Sequence, residues 1–204
     1  MKTLLLTATA LLAGLNIHAQ GTASGTLSFT SVGAFDDKRI WVDEMLTGQR
    51  AGGGSGGYSV ALYWGSAGTT DDRNLVQIGP STSMLGTTGG AATTPAGTYF
   101  GGGRTIGNQS AAGPVLAFQV RGWSTASGAT YEAAAASGGG GRFGKGPVFE
   151  MKTKNPNDAT ELNPNLWQAP GYRGFAVTTL CPEPSVIGLG LLGAGALLML
   201  RRRK

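Results

Sequence analysis

Tyr58-Ser59-Val60-Ala61-Leu62-Tyr63-Trp64 alternates its side chains with a period of two. Successive side chains of an extended strand point to opposite sides, so Tyr58, Val60, Leu62 and Trp64 share one face and Ser59, Ala61 and Tyr63 the other. Residues 115–123 repeat the pattern, with Leu116, Phe118 and Val120 opposite Ala117, Gln119 and Arg121. Both stretches read as half-buried strands. Outward from them, residues 26–32, 75–78, 98–100, 148–153 and 175–179 are rich in β-branched and aromatic residues and are predicted as further strands. Turn residues separate these runs: Gly79-Pro80, Asn155-Pro156-Asn157-Asp158, Asn163-Pro164 and Pro170-Gly171. One helix is predicted, over residues 131–136, where four alanines favour it and Gly138 soon ends it. The pattern predicts an all-β body, an antiparallel β-sandwich of jelly-roll type. No strict repeat period points to a solenoid or propeller.

Composition narrows the body further. Glycine supplies 36 of 204 residues, far above the usual ~7%. The runs at residues 52–57, 101–103 and 138–141 read as flexible loops. Most of the formal charge of +5 comes from the ends. Lys2, Arg201, Arg202, Arg203 and Lys204 lie there with Glu183, leaving 11 basic and 10 acidic residues between. That balance offers no basic patch for nucleic acid. Cys181 is the single cysteine, so no internal disulfide can form.

Both ends carry targeting signals. Lys2 precedes an uncharged, Leu- and Ala-rich stretch to Ile17, and Ile17-His18-Ala19 has a small residue last. This is the pattern of a secretory signal peptide over residues 1–19, a signal helix cut after Ala19. It implies the Sec export machinery and signal peptidase as partners. Residues 20–180 are then an extracytoplasmic β domain. At the other end, Pro182-Glu183-Pro184-Ser185 is followed by residues 186–200, which carry no charge, and by Arg201-Arg202-Arg203-Lys204. Fifteen residues make roughly 22 Å of helix, short against a ~30 Å hydrocarbon core. Gly188, Gly190, Gly193 and Gly195 weaken that helix. A single transmembrane helix is therefore predicted, and a marginal one, helped by snorkelling of the terminal cations. The cationic cluster prefers the cytoplasmic side. The expected topology is inner-membrane single-pass, N-terminus out and C-terminus in. Pro182 and Pro184 impose extended geometry on the motif between them, as suits the substrate of a protease or transpeptidase.

Residues 181–204, in that order of motif, Gly/Leu-rich helix and basic cluster, resemble the PEP-CTERM sorting domain. Cys181 stands where that family usually has a small or aliphatic residue. The resemblance implies an exported bacterial surface or extracellular-matrix protein, processed at residues 182–185 by exosortase, a multi-pass membrane enzyme. Pro182, Glu183, Pro184 and Ser185 would then be substrate and Arg201 to Lys204 the membrane stop. Exopolysaccharide is an implied partner of the released protein. A polysaccharide- or surface-binding module, and an unprocessed anchored protein, stay open as alternatives.

Catalytic chemistry has little to build on. His18 is the only histidine and leaves with the signal peptide, which removes a Ser-His-Asp triad and a His-based zinc site. Gly53-Gly54-Ser55-Gly56-Gly57 matches a nucleophile elbow only in letters, because a strand follows and no histidine exists. Gly52, Gly54 and Gly57 lack the strand and helix of a dinucleotide fingerprint. Residues 139–145 mimic a phosphate loop, but Gly146 replaces the Ser or Thr and Pro147 blocks helix continuation. Asp36-Asp37, Asp43-Glu44 and Asp71-Asp72 are weighed as calcium ligands or glycosidase carboxylates and read as solvated loops. The expectation is a non-enzymatic protein with no cofactor and no metal. Should the body bind sugar, Tyr63, Trp123 and Tyr99 are the candidate stacking aromatics, although aromatics in a β domain more often form core.

Overall fold

The computed structural model describes residues 25–42, 48–54, 56–88, 96–107, 113–137 and 140–179. Ten strands and one short helix occur among them: β1 (Gly25–Thr30), β2 (Ile40–Trp41), β3 (Tyr58–Ser66), β4 (Val76–Ser83), β5 (Phe100–Ile106), β6 (Val115–Ser124), α1 (Tyr131–Ala136), β7 (Arg142–Lys145), β8 (Phe149–Lys152), β9 (Phe175–Ala176) and β10 (Thr178–Thr179). The described body is all-β and its long strands pair antiparallel; only the two-residue β2–β9 pair runs parallel. The predicted signal helix and transmembrane helix fall outside the described residues.

The two stretches that the period-two pattern marks first are the centre of the molecule. β3 and β6 pair antiparallel without interruption, from Tyr58 opposite Ser124 to Ser66 opposite Leu116. β4 flanks β3, while β7, β8 and β10 extend the sheet beyond β6. β7 and β8 pair with successive parts of β6, Arg121 opposite Lys145 and Phe118 opposite Phe149. Between those two pairs three residues, 146–148, face two, Gln119 and Val120, so residues 146–148 form a bulge. Its backbone stays engaged: Gly146 N–H donates to the Val120 carbonyl at 2.9 Å, and Gln119 Nε2 to the Gly146 carbonyl at 2.9 Å.

β3 and β6 are buried on both faces, not one. Val60, Leu62, Trp64, Leu116, Phe118 and Val120 pack into the larger core with Leu27 and Phe29 of β1 and Ile106 of β5. Ala61, Tyr63, Ala117 and Trp123 face a second core closed by Tyr131 and Ala134 of α1. The helix is therefore a lid on the second face, and the half-buried reading fails because six helical residues supply a third layer. Its start follows from sequence: Thr130 Oγ1 accepts from Ala133 N–H at 3.2 Å, satisfying an amide with no partner inside the helix. Ser137 closes the other end, its hydroxyl donating to the Ala134 carbonyl at 2.7 Å.

Several glycines of the runs at residues 52–57 and 101–103 hold structural positions, against their reading as flexible loops. Gly101 to Gly103 lie within β5. A Cβ on Gly101 would sit 2.2 Å from the Phe29 ring, and Gly102, at φ +74°, falls where the β1–β5 register slips. A positive φ at a bulge is a glycine position. Gly79-Pro80, predicted as a turn, is likewise a bulge inside β4, where the register with β3 shifts. Gly52 and Gly53 touch backbone: a Cβ would lie 2.2 Å from Thr87 and 2.1 Å from the Met84 carbonyl oxygen. The predicted strand over residues 175–179 is two short pieces, β9 and β10, split at Val177, whose N–H donates to the Trp41 carbonyl at 2.7 Å.

Candidate functional site

The predicted sorting residues Pro182, Glu183, Pro184 and Ser185, the cleavage residue Ala19, and Arg201, Arg202, Arg203 and Lys204 all lie outside the described residues. What the structure gives is the support from which that tail departs. β10 is the last strand among the described residues, Thr178 opposite Phe143 and Thr179 opposite Arg142 of β7. Only Leu180 and Cys181 separate it from Pro182. Among the described residues no helix is long and apolar enough to cross a membrane.

The aromatics proposed as a sugar platform are core. Tyr99 is wholly buried, Trp123 1% exposed and Tyr63 3% exposed, so none offers a ring face to a ligand. Trp123 Nε1 donates to the Gly128 carbonyl at 3.0 Å. The Tyr99 and Tyr172 hydroxyls meet at 3.2 Å in the larger core. Burial raises both hydroxyl pKa values, Tyr172 to about 12.

Tyr63 instead belongs to a polar knot in the second core. Arg121, opposite Ala61 on β3, lays its guanidinium carbon 3.9 Å from the Tyr63 ring centroid and 5.2 Å from that of Tyr131. Its Nε donates to Gln119 Oε1 at 2.8 Å and one Nη to the Asp72 carbonyl at 2.6 Å. The Tyr63 hydroxyl donates to Glu132 Oε1 at 2.6 Å. Burial, then the Glu132 hydrogen bond, raise the Tyr63 pKa well above its ordinary value despite the opposing cation. Asp72 pairs through its carboxylate with Lys145, and that hydrogen bond holds its pKa below the usual aspartate value. Every charged group here has a partner. The knot joins β3, β6, β7 and α1, and this arrangement locks a layer rather than exposing a reactive group.

The acidic pairs divide. Asp71 Oδ1 accepts from Arg73 N–H at 3.0 Å and opens a 3-10 turn. Asp36 Oδ1 lies 2.8 Å from Arg50 Nη2 and 3.2 Å from Arg39 Nε. Asp43 and Glu44 fall outside the described residues. No group of three His, Cys, Asp or Glu side chains comes together among the described residues. Lys145, the lysine of the phosphate-loop mimic, sits at the end of a strand missed in the sequence, β7, and faces Asp72.

One surface feature was not legible as such. Phe35 is 70% exposed, with its ring 6.4 Å from and nearly perpendicular to the half-buried Trp167. Val32, three residues earlier in the chain than Phe35, is also exposed. Lys38 fixes the pair by donating to the Trp167 carbonyl at 2.8 Å. The two rings are 132 positions apart in the chain, and no local pattern joins them.

The chain matches no family model, and no curated protein or solved structure matches it.

Proposed function

We propose that this is a non-enzymatic exported surface or matrix protein, held briefly in the inner membrane by residues 186–200 and processed at Pro182-Glu183-Pro184-Ser185 by an exosortase-like enzyme. The observation that carries the reading is the ordered tail: extended acidic motif, uncharged Gly/Leu-rich segment, basic stop. The likeness to PEP-CTERM proteins rests on residues 181–204 alone. The cargo in this reading is a jelly-roll-like sandwich, with β1 and β5 layered on the β3–β6 sheet. Their shared core of Leu27, Phe29, Val60 and Phe118 supports that layering. Glu183→Ala tests the motif. Export should persist while release from the membrane stops, read as C-terminal mass spectrometry of the secreted and membrane fractions. Release at the wild-type rate would remove the motif from the proposal.

A second reading is favoured by the Phe35–Trp167 pair. An exposed ring backed by a second aromatic suits stacking on a sugar face, and a polysaccharide-binding role would use that surface in place of Tyr63, Trp123 and Tyr99. Co-sedimentation with the cell's own exopolysaccharide should fall in Phe35→Ala. Equal retention of both proteins would dismiss this surface.

A further inference from the structure

Beside Phe35 two arginines share the one carboxylate that the described residues bring to them. Arg39 and Arg50 both approach the single oxygen Asp36 Oδ1, at 3.2 and 2.8 Å. Their side chains are 18% and 8% exposed, whereas that of Asp36 is 66% exposed. Arg50 stands opposite Trp41 in an antiparallel bridge, its guanidinium carbon 5.3 Å from the indole ring centroid. Three N–H donors of this cluster, Arg39 Nε, Arg50 Nη1 and Trp41 Nε1, are buried and make no hydrogen bond. For Arg39 Nε the alignment to Asp36 is what fails, since the distance is short.

Leaving such donors unsatisfied is costly, and more so for charged groups. Folds rarely keep one, and here three lie on adjacent side chains. All three are donors, so only an acceptor can satisfy them. Among the described residues two guanidiniums against one carboxylate leave a positive charge, so a negative acceptor fits best. The backbone keeps the space compact: Gly97, at φ +81°, lies where a Cβ would be 3.0 Å from Arg39 Cβ and 3.3 Å from Arg50 Cβ. Burial and the neighbouring Arg50 lower the Arg39 pKa even with Asp36 in place, as expected of an under-compensated pair.

We infer that Arg39, Arg50 and Trp41 form a binding site for a small oxyanion, a carboxylate or sulfate group, entered from the exposed Asp36 side. The guanidinium of Arg50 and the indole N–H supply the donors that discriminate it from chloride, and Asp36 Oδ1 is approached by both arginines. The site stands whether or not the tail is processed. Its acceptor could come as a free anion or as the carboxylate of an acidic sugar.

Thermal unfolding of the full chain in mild detergent tests this, in sodium chloride, acetate, sulfate and glucuronate at one ionic strength. At tenfold saturation an oxyanion should raise Tm by about 3–5 °C over chloride. The rise should vanish in Arg50→Met and shrink in Trp41→Phe, which keeps a ring and removes only the N–H. Glucuronate acting at lower concentration than acetate identifies a sugar-borne carboxylate; equal potency identifies a free anion. If Arg50→Met does not fold, Trp41→Phe decides. Equal Tm in all four salts would overturn the site, as would an undiminished rise in Trp41→Phe, which marks a general salt effect. A response confined to Asp43→Asn/Glu44→Gln would also overturn it, because the chain's own carboxylates would then be the occupant.

Discussion

Arg121 lies over the ring of Tyr63, guanidinium carbon to centroid 3.9 Å, at the point where α1 closes the second face of the β3–β6 sheet. The stack is buried and hydrogen-bonded at both ends, so each partner has a separable contribution. Tyr63→Phe keeps the stack and removes the hydroxyl that binds Glu132; it should cost about 1–2 kcal/mol. Arg121→Ala loses the cation–π contact, the Gln119 and Asp72 hydrogen bonds and the packing of its stem; about 2–4 kcal/mol is expected. Urea unfolding of the two variants gives both numbers. Equal losses would mean that the guanidinium adds nothing beyond the hydroxyl.

Asp72 makes part of this region sensitive to acid. The hydrogen bond from Lys145 lowers its pKa in the folded chain, so the unfolded chain binds the proton more readily. The stabilisation is complete above the ordinary aspartate value of ~3.9 and fades as pH falls through the lower folded value. Lys145 is half exposed, and the effect should stay under about 1 kcal/mol. Asp72→Asn should unfold with a flatter pH dependence below ~4 than the parent. Identical acid limbs in the two proteins would remove Asp72 from the account.

Glycine content makes a sharper prediction. A Cβ on Gly144 of β7 would lie 1.9 Å from the Ala176 carbonyl oxygen. That contact cannot relax without parting β7 from β9. Gly144→Ala should cost 2 kcal/mol or more, roughly the range for strain inside a packed core. Gly103 of β5 has nothing within 4 Å of its Cβ position and no positive φ. Gly103→Ala should be neutral or stabilise by up to about 1 kcal/mol, because it restricts the unfolded chain. Denaturant midpoints of the pair compare the two directly.

The contrast also shows what sequence could and could not disclose. Alternation at Tyr58 to Trp64 and along residues 115–123 marked the two central strands, and four alanines after Thr130 marked the helix to the residue. Those signals are local. The third layer was hidden because Tyr131, which packs against Tyr63, lies 68 positions further along the chain, so an inward face looked like an outward one. Glycine was misread for the opposite reason. Its lack of a side chain means flexibility in isolation but close approach in a fold, and Gly101 against Phe29 is the second case. β7 escaped notice because Arg142-Phe143-Gly144-Lys145 is held by its neighbours β6 and β10, not by its composition. For the candidate sites, Phe35 and Trp167, or Arg39 and Arg50, carry no shared motif.

The spacing between body and tail yields a final expectation, which rests on the proposed processing. β10 ends at Thr179, and Leu180 and Cys181 alone precede Pro182. Three residue steps span at most about 10–11 Å. A membrane enzyme acting at residues 182–185 must therefore work against a folded domain, or wait for β10 to part from β7. Two residue pairs hold that strand, and opening so short an end segment costs far less than global unfolding. An eight-residue Gly/Ser insert after Leu180 adds reach without touching the motif, so release from the membrane should speed up. Pulse-chase of the membrane-bound and released forms measures it. Slower release would show that the enzyme needs the domain close, and an unchanged rate would show that β10 does not limit access.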